Sequence, residues 1–200
     1  MAITINGSGT ITGATTLAST VASPTFTSPT MSSAVVSTMA SSVITAGTAV
    51  ASTSGTSIDF TSIPSWVKRI TVMFNGVSTN GSSVAQIQLG VSGTPETTGY
   101  LSMVANVQTT VNTTRGVTAS TGFYLVHAGA ASNVVNGAVT FSNLSGNIWV
   151  CSGSIYESGN SSFDSQSGIK SLAGALNMVR ITTVNGTDTF DAGSINILYE

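Results

Sequence analysis

The sequence predicts an all-β domain of short antiparallel strands, and three observations carry that prediction. Apolar and polar residues alternate along most of the chain beyond about residue 67, which is the period of a half-buried strand. Five Asn-Gly pairs, at Asn6, Asn75, Asn80, Asn136 and Asn185, punctuate the chain; this pair suits the positive φ angles of type I′ hairpin turns. Hydrophobic residues make up 41% of the 200 residues and charged ones only 6%. There is material for a core, but far less surface charge than the roughly 25% of a typical soluble domain.

The elements follow in order. "GTAVASTSGTSIDF" reads as a strand, a Ser/Gly loop and a second strand, so the domain is expected to begin near residue 41, before the first charge at Asp59. In "VKRITVMFNG", Ile70, Val72 and Phe74 share a face. "AQIQLG" aligns Ala85, Ile87 and Leu89, "STGFYLVH" aligns Phe123 and Leu125, "NGAVTFSNL" aligns Val139 and Phe141, and "SINILYE" aligns Ile195, Ile197 and Tyr199. Beyond residue 60 the pattern predicts strands at about 67–74, 84–90, 99–107, 120–127, 137–142, 147–156, 168–173, 176–184 and 192–199. "LAGALNMVR" also allows a helical turn. Short, regularly spaced strands with Gly-rich turns mean a sandwich, a jelly roll or a barrel.

Residues 1–40 differ. From Met1 to Ile58 there is no Asp, Glu, Lys or Arg, and "SPTFTSPTMSS" repeats its tripeptide around Pro24 and Pro29. The prolines exclude a continuous helix there, and Ser, Thr and Val favour extended chain over helix. Such a segment cannot bury enough surface alone. Three copies side by side would pair backbones between chains and bury Phe26, Met31 and Val35 on a shared axis.

Composition excludes several functions. With five basic and seven acidic residues, and Lys68-Arg69 the only adjacent basic pair, nothing favours nucleic acid, whose binding needs clustered Lys and Arg. No apolar run reaches the roughly 18 residues of a membrane helix, so no membrane insertion is expected. "MAITINGSGT" has neither the basic nor the apolar region of a secretory signal, so synthesis in a cytoplasm is expected. The glycosylation patterns at Asn6, Asn80, Asn112, Asn143, Asn160 and Asn185 are discounted for the same reason. Cys151 is the one cysteine; its strand-like setting "IWVCSGSIY" marks it as a buried small hydrophobe rather than a nucleophile.

Candidate chemistry is sparse. His127 is the one histidine, and "FYLVHAGA" offers no triad partner, so a structural or exposed role is expected. One His and one Cys do not make a usual zinc site. Asp188 and Asp191, in "NGTDTFDAG", are expected in turn or cap roles; a calcium site and a glycosidase carboxylate pair are the alternatives. Glu157 and Asp164 bracket "SGNSSF", read as a loop, and are expected as solvated loop acids, with ligand contact the alternative. Trp66 is expected at an edge or an interface, Trp149 in the core and Tyr100 at a strand start. No residue is assigned a catalytic, cofactor-binding or metal role, no cofactor is expected, and receptor-binding residues are unassigned. The loops expected to meet a receptor are 91–99, 108–119, 128–136 and 157–168.

The run "SSVITAGTAVASTSGTSIDFTSIPSWVKRITVMFNGVSTNG", residues 41–81, resembles a module of tail-fibre and other virion proteins of tailed bacteriophages. "MAITINGSGTITG" is similar to the N-termini of such fibres, and the SPT repeats resemble fibre shaft sequence. The remainder matches only in its Gly/Asn/Ser-rich, charge-poor style. The resemblance implies a homotrimeric virion component in which residues 1–40 attach to other virion proteins of the tail, baseplate or capsid. Residues 41–200 would form a jelly-roll-like antiparallel β-sandwich head.

The expected function is therefore that of a tail fibre, a virion structural protein without enzymatic activity. Its head would meet a host surface glycan or protein, with gain from three heads engaging together. The alternative is a structural virion part (head fibre, capsid decoration, collar or tail component) that binds no receptor. A depolymerase is a third class, disfavoured because such fibres usually carry a much longer β-helical body.

Overall fold

Period-two patterning produces strands throughout the computed structural model, which describes residues 44–109 and 114–200. The described residues lie in one unit, Ser41–Glu200. The expected 1–40 segment lies outside them. The elements are β1 (Thr45–Ala46), β2 (Val50–Ala51), β3 (Ser57–Phe60), β4 (Arg69–Thr79), β5 (Ala85–Val91), β6 (Thr94–Pro95), β7 (Tyr100–Gln108), β8 (Arg115–Ala119), β9 (Phe123–Tyr124), β10 (Val135–Ser145), β11 (Ile148–Glu157), β12 (Ser162–Ser171), β13 (Leu176–Thr183) and β14 (Phe190–Tyr199). There is no helix among the described residues. "LAGALNMVR" resolves into the four-residue connection 172–175 and the first part of β13.

The strands form two sheets. The large one runs β1-β14-β4-β10-β11-β12-β7-β8, with β2 also on β14; the small one runs β3-β13-β5-β6, with β9 also on β5. All their pairings are antiparallel. Their inner faces share one core, so the unit is a β-sandwich. Ile70, Val72 and Phe74 from β4, Val139 and Phe141 from β10, and Ile195 and Ile197 from β14 meet Ile87 and Leu89 of β5 and Val179 and Ile181 of β13. These are the faces that alternation predicts. Phe123 sits between Tyr100, 5.0 Å away edge-on, and Phe141, 5.2 Å away.

The structure corrects the expected turns. None of the four described Asn-Gly pairs closes a hairpin between paired strands. Asn75-Gly76 and Asn136-Gly137 lie inside β4 and β10, where the β4–β10 register shifts. Gly76 has φ +65° and Gly137 φ +138°, and the Gly76 N–H donates to Asn136 Oδ1 at 2.8 Å. Positive-φ geometry serves a bulge as readily as a turn. Asn80-Gly81 and Asn185-Gly186 instead lie in connections that carry the chain between sheets. The β10–β11 hairpin closes at Gly146, φ +52°.

Several expected loops are strand. β8 occupies part of 108–119, β6 part of 91–99, the start of β10 the end of 128–136, and β12 begins at Ser162 within 157–168. Conversely, the strand expected at 120–127 shrinks to β9. That segment covers the outer side of β5: Thr121 Oγ1 donates to Gln86 Oε1 at 2.9 Å, and Gln88 Nε2 to the Thr121 carbonyl at 2.9 Å. β5 is therefore buried on both faces, glutamines included.

Candidate functional site

Two features stand apart from the apolar core, and β12 contributes to both. Along "SFDSQSGIK" the inward residues are Ser162, Asp164 and Gln166, and the outward ones Phe163, Ser165 and Ser167. The usual assignment of polar to solvent and apolar to core is inverted here.

On the inner side, cross-strand register stacks two polar rows. Arg115, Asn106 and Asp164 face one another across β8, β7 and β12, and Gln108, Ser162 and Glu157 across β7, β12 and β11. All of these but Ser162 line, with His127 and Asn160, a cavity of about 80 Å³. Asp164 is fully buried and Glu157 is 2% exposed. Both lie on strands, which corrects the expectation of solvated loop acids: only residues 158–161 form a turn, and the polar stretch from Ser162 is a strand whose polar side faces inward.

Donors surround both carboxylates. Asp164 Oδ1 accepts from the His127 backbone N–H at 2.8 Å and from Asn106 Nδ2 at 3.1 Å, and Oδ2 accepts from Ser162 Oγ at 2.8 Å. Glu157 Oε1 accepts from the Asn160 N–H at 3.1 Å and Oε2 from Asn160 Nδ2 at 2.9 Å. Neither makes an ion pair among the described residues, whereas Asp59, Glu96 and Glu200 pair with Arg180, Lys170 and Arg69. No group of three or more His, Cys, Asp or Glu converges among the described residues.

The outer face of the large sheet is the second feature. Val107, Phe163 and Tyr156 stand side by side across β7, β12 and β11, and Leu101, Ile169 and Val150 do so further along. Leu101 is 74% exposed, and Val107, Phe163 and Tyr156 each about half exposed. Between the apolar rows lies a hydroxyl-lined trough that includes Thr140, Ser152, Ser154 and Ser165. Outward positions of β7, β12, β11 and β10 carry no charge; the first is Arg69 on β4. An apolar exposed face of this kind marks an interaction surface in soluble proteins.

The other expected residues are placed plainly. Trp149 and Cys151 are buried, and burial pushes the Cys151 thiol up to about 12. Tyr100 starts β7 but is buried; its hydroxyl donates to the Glu96 carbonyl at 2.9 Å and accepts from the Leu89 N–H at 2.8 Å, so its ring offers no face to a sugar. Trp66 is 54% exposed and leans on Tyr199, 6.0 Å between ring centres. Asp188 accepts from the Ser83 N–H at 2.8 Å and from Asn185 Nδ2 at 2.6 Å, a turn role. Those hydrogen bonds, Asn185 first, hold its carboxyl below the ordinary value. Asp191 bonds separately to Ser78, so the two acids do not form a pair.

Fold and site together define a two-sheet antiparallel β-sandwich with an uncharged outer face and a buried carboxylate pocket. The chain matches no family model, no curated protein and no solved structure.

Proposed function

We propose that this protein is a non-enzymatic virion component of tail-fibre type. It acts as a homotrimer, attached to the particle through residues 1–40, with the sandwich as a head that meets the host surface. The observation that carries the reading is the uncharged outer face of the large sheet, with Leu101, Met103, Val107, Tyr156 and Phe163 exposed in one chain. Such a face suits burial between copies, where absent charge means no like-charge repulsion and no desolvated ion. The charge-free stretch from Met1 to Ile58 supports assembly in the same way. The nested pairs β4 with β14, β5 with β13, and β7 with β12 support a jelly-roll-like head, widened by β10 and β11.

Light scattering on the purified full-length chain tests the assembly; a trimer is expected, and a monomer at micromolar concentration overturns it. Competition of the protein against particle adsorption tests the receptor role. Absence of inhibition by a proven trimer would favour the alternative reading of a structural virion part. Removal of residues 1–40 is expected to leave a folded head that no longer incorporates into particles.

A further inference from the structure

The pocket at the inner end of β7, β11 and β12 holds the two most buried acids of the described residues, Asp164 and Glu157. Ser162 Oγ joins them, 2.8 Å from Asp164 Oδ2 and 3.4 Å from Glu157 Oε2. Buried carboxylates are ordinarily paired with a base or bound to a cation, and neither acid has an ion-pair partner among the described residues.

A second observation points the same way. Among the described residues, the buried side-chain polar atoms without a hydrogen-bond partner are Asn106 Oδ1, Asn133 Oδ1 and Gln166 Oε1. All three are acceptors. Asn106 is 3% exposed and lines the cavity. Its orientation is set, because Nδ2 donates to Asp164 and a flip would place oxygen against carboxylate. Asn133 is fixed likewise, Nδ2 donating to the Ala128 carbonyl at 2.8 Å. Its orphaned Oδ1 and Glu157 Oε1 lie 2.8 Å and 2.7 Å from the point that a Cβ on Gly159 would occupy. Asn106 Oδ1 is thus an unbonded acceptor beside two buried carboxylates, a set of oxygens that a bound cation would use together.

We propose that this pocket is a divalent-cation site, selective for Ca²⁺, with Glu157, Asp164 and the Asn106 amide oxygen as its protein ligands. The donors are hard oxygens, and no sulfur and no cluster of imidazoles is present for a transition metal. Ca²⁺ accepts six to eight oxygens in irregular arrangements, whereas Mg²⁺ demands a near-ideal octahedron. Water supplies the remaining positions, for which a cavity of about 80 Å³ has room. Arg115 lines the mouth with its side chain exposed and makes no ion pair with either acid among the described residues. Its charge weakens cation binding without replacing the cation. This inference does not depend on the virion reading.

The test is calorimetric titration of the EDTA-treated full-length protein with CaCl₂, and separately with MgCl₂. Terbium luminescence and thermal melts accompany it. One Ca²⁺ per chain is expected, with Kd at or below about 1 mM and Mg²⁺ at least about tenfold weaker. At about a hundredfold excess over Kd the melting temperature should rise by about 5–10 °C. Glu157→Gln and Asp164→Asn should each weaken binding at least about tenfold. Arg115→Ala should tighten it severalfold, a gain that misfolding cannot mimic. The proposal is overturned if the wild-type protein shows no saturable Ca²⁺ heat and melts alike in EDTA and Ca²⁺, the pocket then holding water or a shared proton. It is also overturned if Arg115→Ala destabilises the protein without tightening Ca²⁺ binding, which would make Arg115 the counter-ion.

Discussion

Phe163 on β12 stands directly opposite Val107 on β7, on the outward face of the large sheet, 51% and 56% exposed. Cross-strand apolar pairs stabilise a sheet by a few tenths to about 1 kcal/mol, but this pair leaves half its surface in water. Phe163→Asp is therefore expected to dissociate the assembled form while the sandwich remains folded. Light scattering reports the first, and a thermal melt, shifted by no more than about 1 kcal/mol of stability, the second. A trimer unaffected by the charge would place the interface elsewhere.

Lys170 is 5% exposed and meets Glu96 at 2.5 Å, with its ammonium 5.2 Å from the Tyr100 ring centre. Burial raises the Glu96 pKa, but the Lys170 hydrogen bond, the Ala173 N–H and the Lys170 charge together outweigh it and hold the carboxyl below its ordinary 4.5. A depressed folded pKa means that the unfolded chain binds the proton more readily. The contribution is thus fully present above the unfolded value and lost as pH falls through the folded one. Glu96→Gln is expected to destabilise by about 1–3 kcal/mol near neutral pH, because it strands a buried ammonium. It should also flatten the acid limb of stability below pH 4.5. Lys170→Met, which removes the charge itself, should cost less. Denaturant melts of the two variants across pH decide the order.

Cys151 faces the core from β11, and its thiol is pushed up to about 12 by burial alone. Since the thiolate is the nucleophile, the native protein should resist a disulfide reagent at pH 8, and one equivalent should react rapidly once denaturant is added. Fast labelling of the native protein would contradict the placement of β11.

Gly193 in β14 has φ +92°, and a Cβ there would lie 2.4 Å from the Gly76 carbonyl oxygen. Both glycines sit where the β4–β14 register shifts. Gly193→Ala therefore meets backbone strain and a backbone clash together, and should cost about 2 kcal/mol or more. Gly146→Ala, at φ +52° in open space, should cost less, and paired chemical melts compare them.

Much of the fold was legible in particular residues. Ile70, Val72, Phe74, Val139, Phe141, Ile195 and Ile197 alternate with polar neighbours, and all are buried. Trp149 and Cys151 were legible for the same reason. Of the described Asn-Gly pairs, Gly76, Gly137 and Gly186 take the positive φ the pair suggests and Gly81 does not; that Asn75-Gly76 and Asn136-Gly137 are bulges was not legible, because a bulge is defined by the partner strand. The stretch Ser162–Gln166 misled because its period-two signal is polar. Asp164 and Gln166 occupy the inner positions, and a reading that sends polar residues to water makes the segment a loop.

Local sequence determined which apolar residues share a face and that most of the chain is extended, since alternation and sterics act within a few residues of one another. Only tertiary structure decided what lies beside what. Asn106 meets Asp164 across 58 positions of sequence, and the row from Val107 through Phe163 to Tyr156 exists only once β7, β12 and β11 are neighbours. The carboxylate pocket and the uncharged face both arise from strand order and register, which are set by the cooperative burial of the whole core.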